Sequence, residues 1–390
     1  MFDFDEIIDR RGTHAEKWDE MGRLCGVTEA DGIPMWVADM DFRAPAEVNA
    51  VIAEAARHGV HGYFGDDAEY RDAIAGWMER RHGWNVAPGD IATTNGVVAG
   101  FAISLRAFTE PGDGVILFTP VYHAFARMVK ANGREVVEAP LVERDGRYEM
   151  DLEALADGLT GRESMLVLCS PHNPGGRIWT VAELRAVAEF CATHDLILVS
   201  DEIHHDIVFP GHRHVPMPVA APECIDRLVM LTAASKVFNI AGALTGNAII
   251  PDPALRERFN AAHAATGKTV NRIGVMMVTA AYAHGDAWVD ALCAYLARNA
   301  AVLEEGVAGI PGVRMSPMQA TYLAWVDFSG TGMEPEEIAR RVREDARIAV
   351  LAGPIFGSGG ETFLRINLGT RRALVEEAVG RLQEAFSDLQ

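Results

Sequence analysis

The chain is short of positive charge: 35 Lys and Arg face 55 Asp and Glu, for a formal net charge of -20. Binding to nucleic acid or to an anionic membrane rests on clustered Lys and Arg, so neither partner is expected. A small anionic cofactor needs only a local pocket and stays open. Cysteine is scarce as well. Cys25, Cys169, Cys191, Cys224 and Cys293 are widely spread and include no C-x-x-C pair, which argues against a disulfide framework or a zinc ribbon. Long apolar runs are missing, none approaching the ~18 residues of a spanning helix. The acidic opening Met-Phe-Asp-Phe-Asp-Glu has no basic stretch leading into an apolar one. No signal peptide is expected, and the cytoplasm is the expected compartment.

What is present is an ordinary globular composition, 49% hydrophobic and 23% charged over 390 residues. That length exceeds one minimal core and predicts two domains, or one large α/β domain with an appendage. The first 45 or so residues are irregular, punctuated by Gly12, Gly22, Gly26, Gly32 and Pro34. Helical spacing follows over residues 45–57 and 69–81. From Ile91 onward, helical patterns alternate with short, wholly apolar runs at 115–118, 165–168, 196–199 and 228–231. One such helix, over 181–194, has Thr180 in place to cap it. Strands without polar alternation are buried on both faces, as in a parallel sheet covered by helices. After about Ala283 the texture changes. A long helix (287–307) leads to a strand (322–328), a helix (336–345), a strand pair (348–351 with 362–368) and a final helix (372–386). The expected division is 1–45 as a segment joining the small domain, 46–283 as a large α/β domain, and 284–390 as a smaller α+β domain.

Open α/β sheets bind ligands beyond the carboxyl ends of their strands, so the residues after each apolar run carry the argument. They are Tyr122 in Thr-Pro-Val-Tyr, Asn173 in Cys-Ser-Pro-His-Asn-Pro-Gly-Gly, Asp201 in Ser-Asp-Glu-Ile-His-His, and Lys236 in Thr-Ala-Ala-Ser-Lys. Lys236 stands between small hydroxylated residues and a return to apolar sequence. Burial lowers a lysine's pKa and frees its amine to attack a carbonyl; the bland alternative is a lysine snorkelling into solvent. Asp201 either caps a helix or pairs with a cation, or it keeps a pyridine nitrogen protonated and so makes that ring an electron sink. Asn173 serves its turn, or donates to a phenolic oxygen on the same ring. Tyr122 fills core, or stacks on a flat cofactor.

Three further features bear on chemistry. Thr94-Asn95-Gly96-Val97-Val98 follows a short strand and opens an apolar helix, whose N-terminal amides are of the kind that cradle phosphate. Arg365 lies inside the apolar strand Phe-Leu-Arg-Ile-Asn-Leu. An unpaired buried guanidinium is very costly, so it meets an anion: a protein carboxylate, or a substrate α-carboxylate gripped by two parallel hydrogen bonds. The histidines His204, His205, His212 and His214 invite a metal. Their spacing matches no standard ligand pattern, and adjacent histidines on an extended chain point to opposite faces, so no metal site is expected.

These segments belong to one collinear set running nearly end to end. It comprises Asp-Arg-Arg-Gly-Thr with Lys17-Trp18-Asp19, Trp36-Val-Ala-Asp-Met-Asp-Phe42, Gly62-Tyr63, Thr119-Pro-Val-Tyr122, Ser170-Pro-His-Asn-Pro-Gly175, Ser200-Asp-Glu-Ile-His204, Ser235-Lys-Val-Phe-Asn239, Tyr322-Leu-Ala-Trp325 and Arg365-Ile-Asn. In these the chain resembles the fold-type I pyridoxal-phosphate enzymes of aminotransferase class I/II. Within them it is most similar to the cystathionine β-lyase-like C–S lyases of the MalY/PatB type. The resemblance implies the aspartate aminotransferase-like fold, a large domain with a mostly parallel sheet plus a smaller α+β domain, and pyridoxal 5'-phosphate as cofactor. It implies that Lys236 forms the Schiff base, Asp201 pairs with the pyridinium nitrogen, Asn173 bonds the ring hydroxyl oxygen, Tyr122 stacks on the ring, and His204 also binds the cofactor. Arg365 would hold the substrate α-carboxylate, helped by Asn173 and the backbone of Val37, Ala38 and Asp39. Gly96, Val97, Val98 and Ser235 would surround the phosphate, with Tyr63 reaching it from the other subunit of a homodimer.

Two departures refine this. Many aminotransferases carry Tyr three residues after the Asp, where this chain has His204, and that histidine favours the C–S lyase branch. Members often place Ser three residues before the lysine and a basic residue eight after it. Here Ala233 and Leu244 stand at those positions, which leaves the phosphate to backbone amides, Ser235 and Tyr63. The expected activity is β-elimination on cystathionine or other cysteine S-conjugates, giving thiol, pyruvate and ammonia. The alternatives are an aminotransferase acting on an α-amino acid and a catalytically silent, cofactor-binding regulatory protein.

Overall fold

Wholly apolar runs are stable as strands only where both faces are covered. In a computed structural model, which describes residues 2–144 and 146–389, they line up in one seven-stranded sheet. Its strands are β1 (Ile91–Thr94), β2 (Gly114–Thr119), β3 (Glu135–Pro140), β4 (Glu163–Cys169), β5 (Ile197–Asp201), β6 (Leu228–Thr232) and β7 (Gly246–Ile249). They are ordered β1-β7-β6-β5-β4-β2-β3. β3, β2, β4, β5 and β6 run parallel, while β7 is antiparallel to both of its neighbours. Every residue of β2 and β6 is buried. The edge strand β3 instead presents exposed Glu135 and Glu138, charges that discourage pairing with another chain.

Helices cover the sheet: α1 (Ala68–His82), α2 (Val97–Phe108), α3 (Ala124–Ala131) and α4 (Val181–Thr193) are among them. α4 begins where its sequence predicts. The Thr180 hydroxyl accepts from the Glu183 amide at 3.3 Å and the Glu183 carboxylate accepts from the Thr180 amide at 2.8 Å, a reciprocal cap for two otherwise unpaired donors. α2 lies close against the sheet because Gly100 has no side chain: a Cβ there would stand 3.1 Å from Leu231 Cδ2.

The rest of the chain builds a second layer. α5 (Asp286–Ala308) and α6 (Arg372–Ala385) pack together beside a four-stranded antiparallel sheet. Its strands are β8 (Arg314–Met315), β9 (Leu323–Asp327), β10 (Leu351–Ala352) and β11 (Phe363–Asn367), ordered β8-β9-β11-β10. The strand pair expected over 348–351 and 362–368 forms only in part. Leu351–Ala352 pairs with β11, but Ile348–Ala349 pairs in parallel with Ile33–Pro34 from the N-terminal segment. Pro34 has no N–H to give, which suits a short two-stranded ladder and not a sheet interior. The Phe4 ring docks the same segment against Phe42, Trp288 and Tyr295. Among the described residues no helix is long and apolar enough to cross a membrane.

Candidate active site

Parallel neighbours end on one side, so β2, β4, β5 and β6 deliver their following residues to one place. Three backbone bonds stitch these ends together: Tyr122 N–H to Asn173 O at 3.1 Å, Ser170 N–H to Asp201 O at 2.9 Å, and Glu202 N–H to Leu231 O at 2.9 Å. Facing them are residues 36–42 and the middle of β11. Between lies a cavity of about 940 Å³ whose walls include Val37, Ala38, Asp39, Tyr122, Lys236 and Arg365.

Lys236 is half-buried at this wall, and its Nζ donates to Ala38 O at 2.8 Å. Burial, then the nearby Arg365 guanidinium, brings its pKa down to about 8. Asp201 is fully enclosed, and burial pushes its carboxyl up to about 7 although the Ile203 amide donates to it at 3.1 Å. A carboxylate this dry, with one amide on it, is short of a cationic partner. His204 is buried beside it, its Nδ1 3.1 Å from Thr321 Oγ1 and its ring edge-on to Tyr322. Burial first, then Lys236 and Arg365, holds its pKa well below the usual histidine range, so the ring is neutral.

Arg365 is buried, and its partners are not carboxylates. Nη2 donates to Trp36 O at 2.9 Å, Nη1 to Asn173 Oδ1 at 3.3 Å, and the guanidinium lies 5.2 Å from the Phe356 ring centroid. Nε has no partner, and burial lowers the pKa to about 10. Of the two readings open on sequence, the protein ion pair is not formed among the described residues. Because Asn173 offers its oxygen to Arg365, its NH₂ is left to donate elsewhere. Tyr122 presents a half-buried ring held edge-on by His123 and Phe125.

Gly96 begins α2 with φ +96°, and a Cβ there would meet nothing within 4 Å, although neither it nor Val97, Val98 or Ser235 lines this cavity. The helix N-terminus formed with Val97 and Val98 thus opens on free space. Ser235, next to Lys236, is half-buried. Ala233 is packed in the core, and Leu244 is exposed and reaches the cavity. Tyr63 is 92% exposed and does not line the cavity of its own chain.

The sequence motifs contain the groups that hold this wall in shape, but the sequence assigned their side chains no role. Asn239 accepts from Met40 N–H at 2.8 Å and donates to Met40 O and Phe42 O at 2.8 and 2.7 Å. Asn367 donates to Val37 O and to Asp39 O, and Tyr322 Oη donates to Ala38 O at 2.9 Å. The Asp39 carboxylate is itself taken by Arg10 at 2.7 Å, and Asp41 by Lys17 at 2.8 Å. One signal was available: Asn367 is two residues from Arg365, so a strand puts both on one face.

A profile of the family described as aminotransferase class I and II matches residues 33–382. The chain belongs to that family. Across 98% of this chain and 100% of the relative, it is 40% identical to the protein named cystathionine beta-lyase PatB of Bacillus subtilis (strain 168). It is 30% identical, over 99% of both chains, to Protein MalY of Escherichia coli (strain K12). Cystalysin from Treponema denticola, whose crystal structure contains a pyridoxal 5'-phosphate cofactor, superposes over 100% of both chains with a TM-score of 0.96 at 34% identity. The family and the aspartate aminotransferase-like architecture are those that the resemblance implies.

Proposed function

We propose that this protein is a pyridoxal-phosphate-dependent C–S lyase that cleaves cystathionine or another cysteine S-conjugate by β-elimination. The observation that carries the reading is the end-to-end 40% identity with a cystathionine β-lyase. The geometry of the site supports it. A flat pyridine ring with an anionic tail fits what the site offers: a buried carboxylate without a cation, an amine of lowered pKa, an aromatic face and an open helix N-terminus. In this reading Lys236 would hold the cofactor, with Asp201 meeting its ring nitrogen, Asn173 its ring hydroxyl, and Tyr122 and His204 packing on the ring. Gly96, Val97, Val98 and Ser235 take the phosphate, with Tyr63 supplied by a second copy in a homodimer. Residues 46–283 then form the cofactor-binding domain, and 284–390 with 1–45 the small one.

When bound, the cofactor supplies an electron sink for the carbanion left at the substrate Cα. Arg365 grips the α-carboxylate and, with the backbone of residues 37–39, orients the Cα–H bond toward Lys236. The freed Lys236 amine takes the Cα proton as general base. Its lowered pKa keeps a useful fraction unprotonated near neutral pH. The same ammonium then stands ready to protonate the departing thiolate. Neutral His204 adds no positive charge that would compete with Arg365 for the carboxylate.

Incubation of the pure protein with cystathionine and no keto acid tests this. Pyruvate, ammonia and thiol in equal amounts are the expected products. Product that forms only when a keto acid is added would make the protein an aminotransferase, and no product from either assay would leave a silent cofactor binder.

A further inference from the structure

Beyond β5 the chain turns sharply, and the adjacent histidines part company. His204 faces the active site, whereas His205 and Asp206 face the other way, toward His82 at the end of α1. These three residues are buried, and one ligand atom from each lies within 4.8 Å of the others. Asp206 and its neighbour Glu202 are buried carboxylates whose basic contacts are imidazoles. His82 Nε2 is 2.7 Å from Asp206 Oδ1, His205 Nε2 is 3.1 Å from Asp206 Oδ2, and His214 Nε2 is 2.7 Å from Glu202 Oε2. The nearby Arg81 is engaged by Asp290 at 2.8 Å and Asp286 at 3.7 Å. The charge of Asp206 is therefore balanced either by a neighbouring imidazole or by a bound cation.

The geometry at one corner favours a cation. His205 Nε2 and Asp206 Oδ2 are 3.1 Å apart, yet among the described residues neither atom has a well-directed hydrogen-bond partner. The ring nitrogen is in contact with that oxygen but not aimed at it. Two ligands of one ion, each about 2.0–2.2 Å from it, stand a little over 3 Å apart with their lone pairs converging on a third point. The far sides of both residues are already tied down. His205 Nδ1 is bonded to the Glu202 carbonyl, the usual outer partner of a metal-bound histidine. Asp206 Oδ1 accepts from Trp77 Nε1 at 2.9 Å and is met by His82 Nε2 at 2.7 Å, so His82 joins the same ion by turning that nitrogen from Oδ1 toward the open corner. A cavity of about 330 Å³ borders His82, His205 and Asp206, with room for water on the open side.

We propose that His82, His205 and Asp206 form a binding site for a divalent transition-metal ion of the zinc class, completed by water from the adjoining cavity. The ion ties the end of α1 to the turn after β5. It displaces protons from the imidazoles, so its binding weakens as pH falls. The site stands independently of the lyase reading and uses none of its residues.

The test strips the cofactor-loaded protein with a chelator and titrates it with Co²⁺ and Zn²⁺. The expected result is one ion per chain, visible d–d bands from a low-symmetry nitrogen and oxygen site, displacement of Co²⁺ by Zn²⁺, and a higher thermal midpoint with Zn²⁺. Asp206→Asn and His205→Gln are expected to weaken binding about tenfold or more. His212→Ala, at an exposed neighbour, is expected to leave it unchanged. The wild type decides first: no stoichiometric uptake and no d–d bands overturns the proposal whatever the variants do. Undiminished binding in Asp206→Asn, or loss of binding in His212→Ala, overturns it as well.

Discussion

Asp201 is held with the wrong charge for its surroundings until something positive arrives. Its carboxyl is raised from 3.8 to about 7, with burial the leading cause. In the cofactor-free protein the folded state therefore binds a proton that the unfolded state has lost between those two pH values. Its contribution to stability is present below the lower value and fades as pH rises through the upper one. Asp201→Asn removes the ionisable group and keeps its shape. In cofactor-free protein this variant is expected to melt higher than wild type near pH 8, by up to about 4 kcal/mol, with the gain vanishing near pH 4. Calorimetry across that range checks it, and a gain that is flat with pH would mean that Asp201 is not buried as a charge. With cofactor bound, the same substitution is expected to lower activity, because the ring nitrogen loses its anion. Residues of this kind were legible because chemistry limits them: a lone Arg365 in an apolar strand has few explanations. The roles of Asn239 and Asn367, though both lie in quoted motifs, were not, since an asparagine that bonds distant carbonyls looks in sequence like any turn residue.

At the scale of elements, the helix N-terminus proposed for the phosphate depends on two glycines meeting. β7 passes so close to the start of α2 that a Cβ on Gly246 would lie 2.9 Å from the Gly96 carbonyl carbon and 3.0 Å from the Val97 amide nitrogen. These neighbours are backbone and cannot swing aside. Gly246→Ala is therefore expected to push the opening turn of α2 outward, costing about 1–3 kcal/mol of stability and weakening cofactor affinity more than it changes the turnover of loaded enzyme. Cofactor titration of the variant beside its melting curve separates the two effects; unchanged affinity would show that α2 does not hold the phosphate. The buried parallel strands were readable because unbroken apolar runs admit few other structures. The ladder between Ile33–Pro34 and Ile348–Ala349 was not. Two residues on each side carry no periodicity, and the partners are separated by most of the chain.

For the whole molecule, the exposed position of Tyr63 is the point where a single chain stops explaining itself. An exposed loop tyrosine that does not line its own cavity has a use if the sites are shared across a symmetric dimer. Sharing makes a sharp prediction. Tyr63→Ala and Lys236→Ala homodimers should each have little activity, since one lacks the phosphate contact and the other the base. When the two are mixed and allowed to exchange subunits, a hybrid contains one site with both defects and one with neither. Random reassortment places half the subunits in hybrids, so activity should recover to about a quarter of the wild-type value. If Tyr63 serves its own subunit, every site in a hybrid carries one lesion and mixing restores nothing. Activity measured before and after exchange, with sedimentation to establish that the protein stays dimeric, decides between the two.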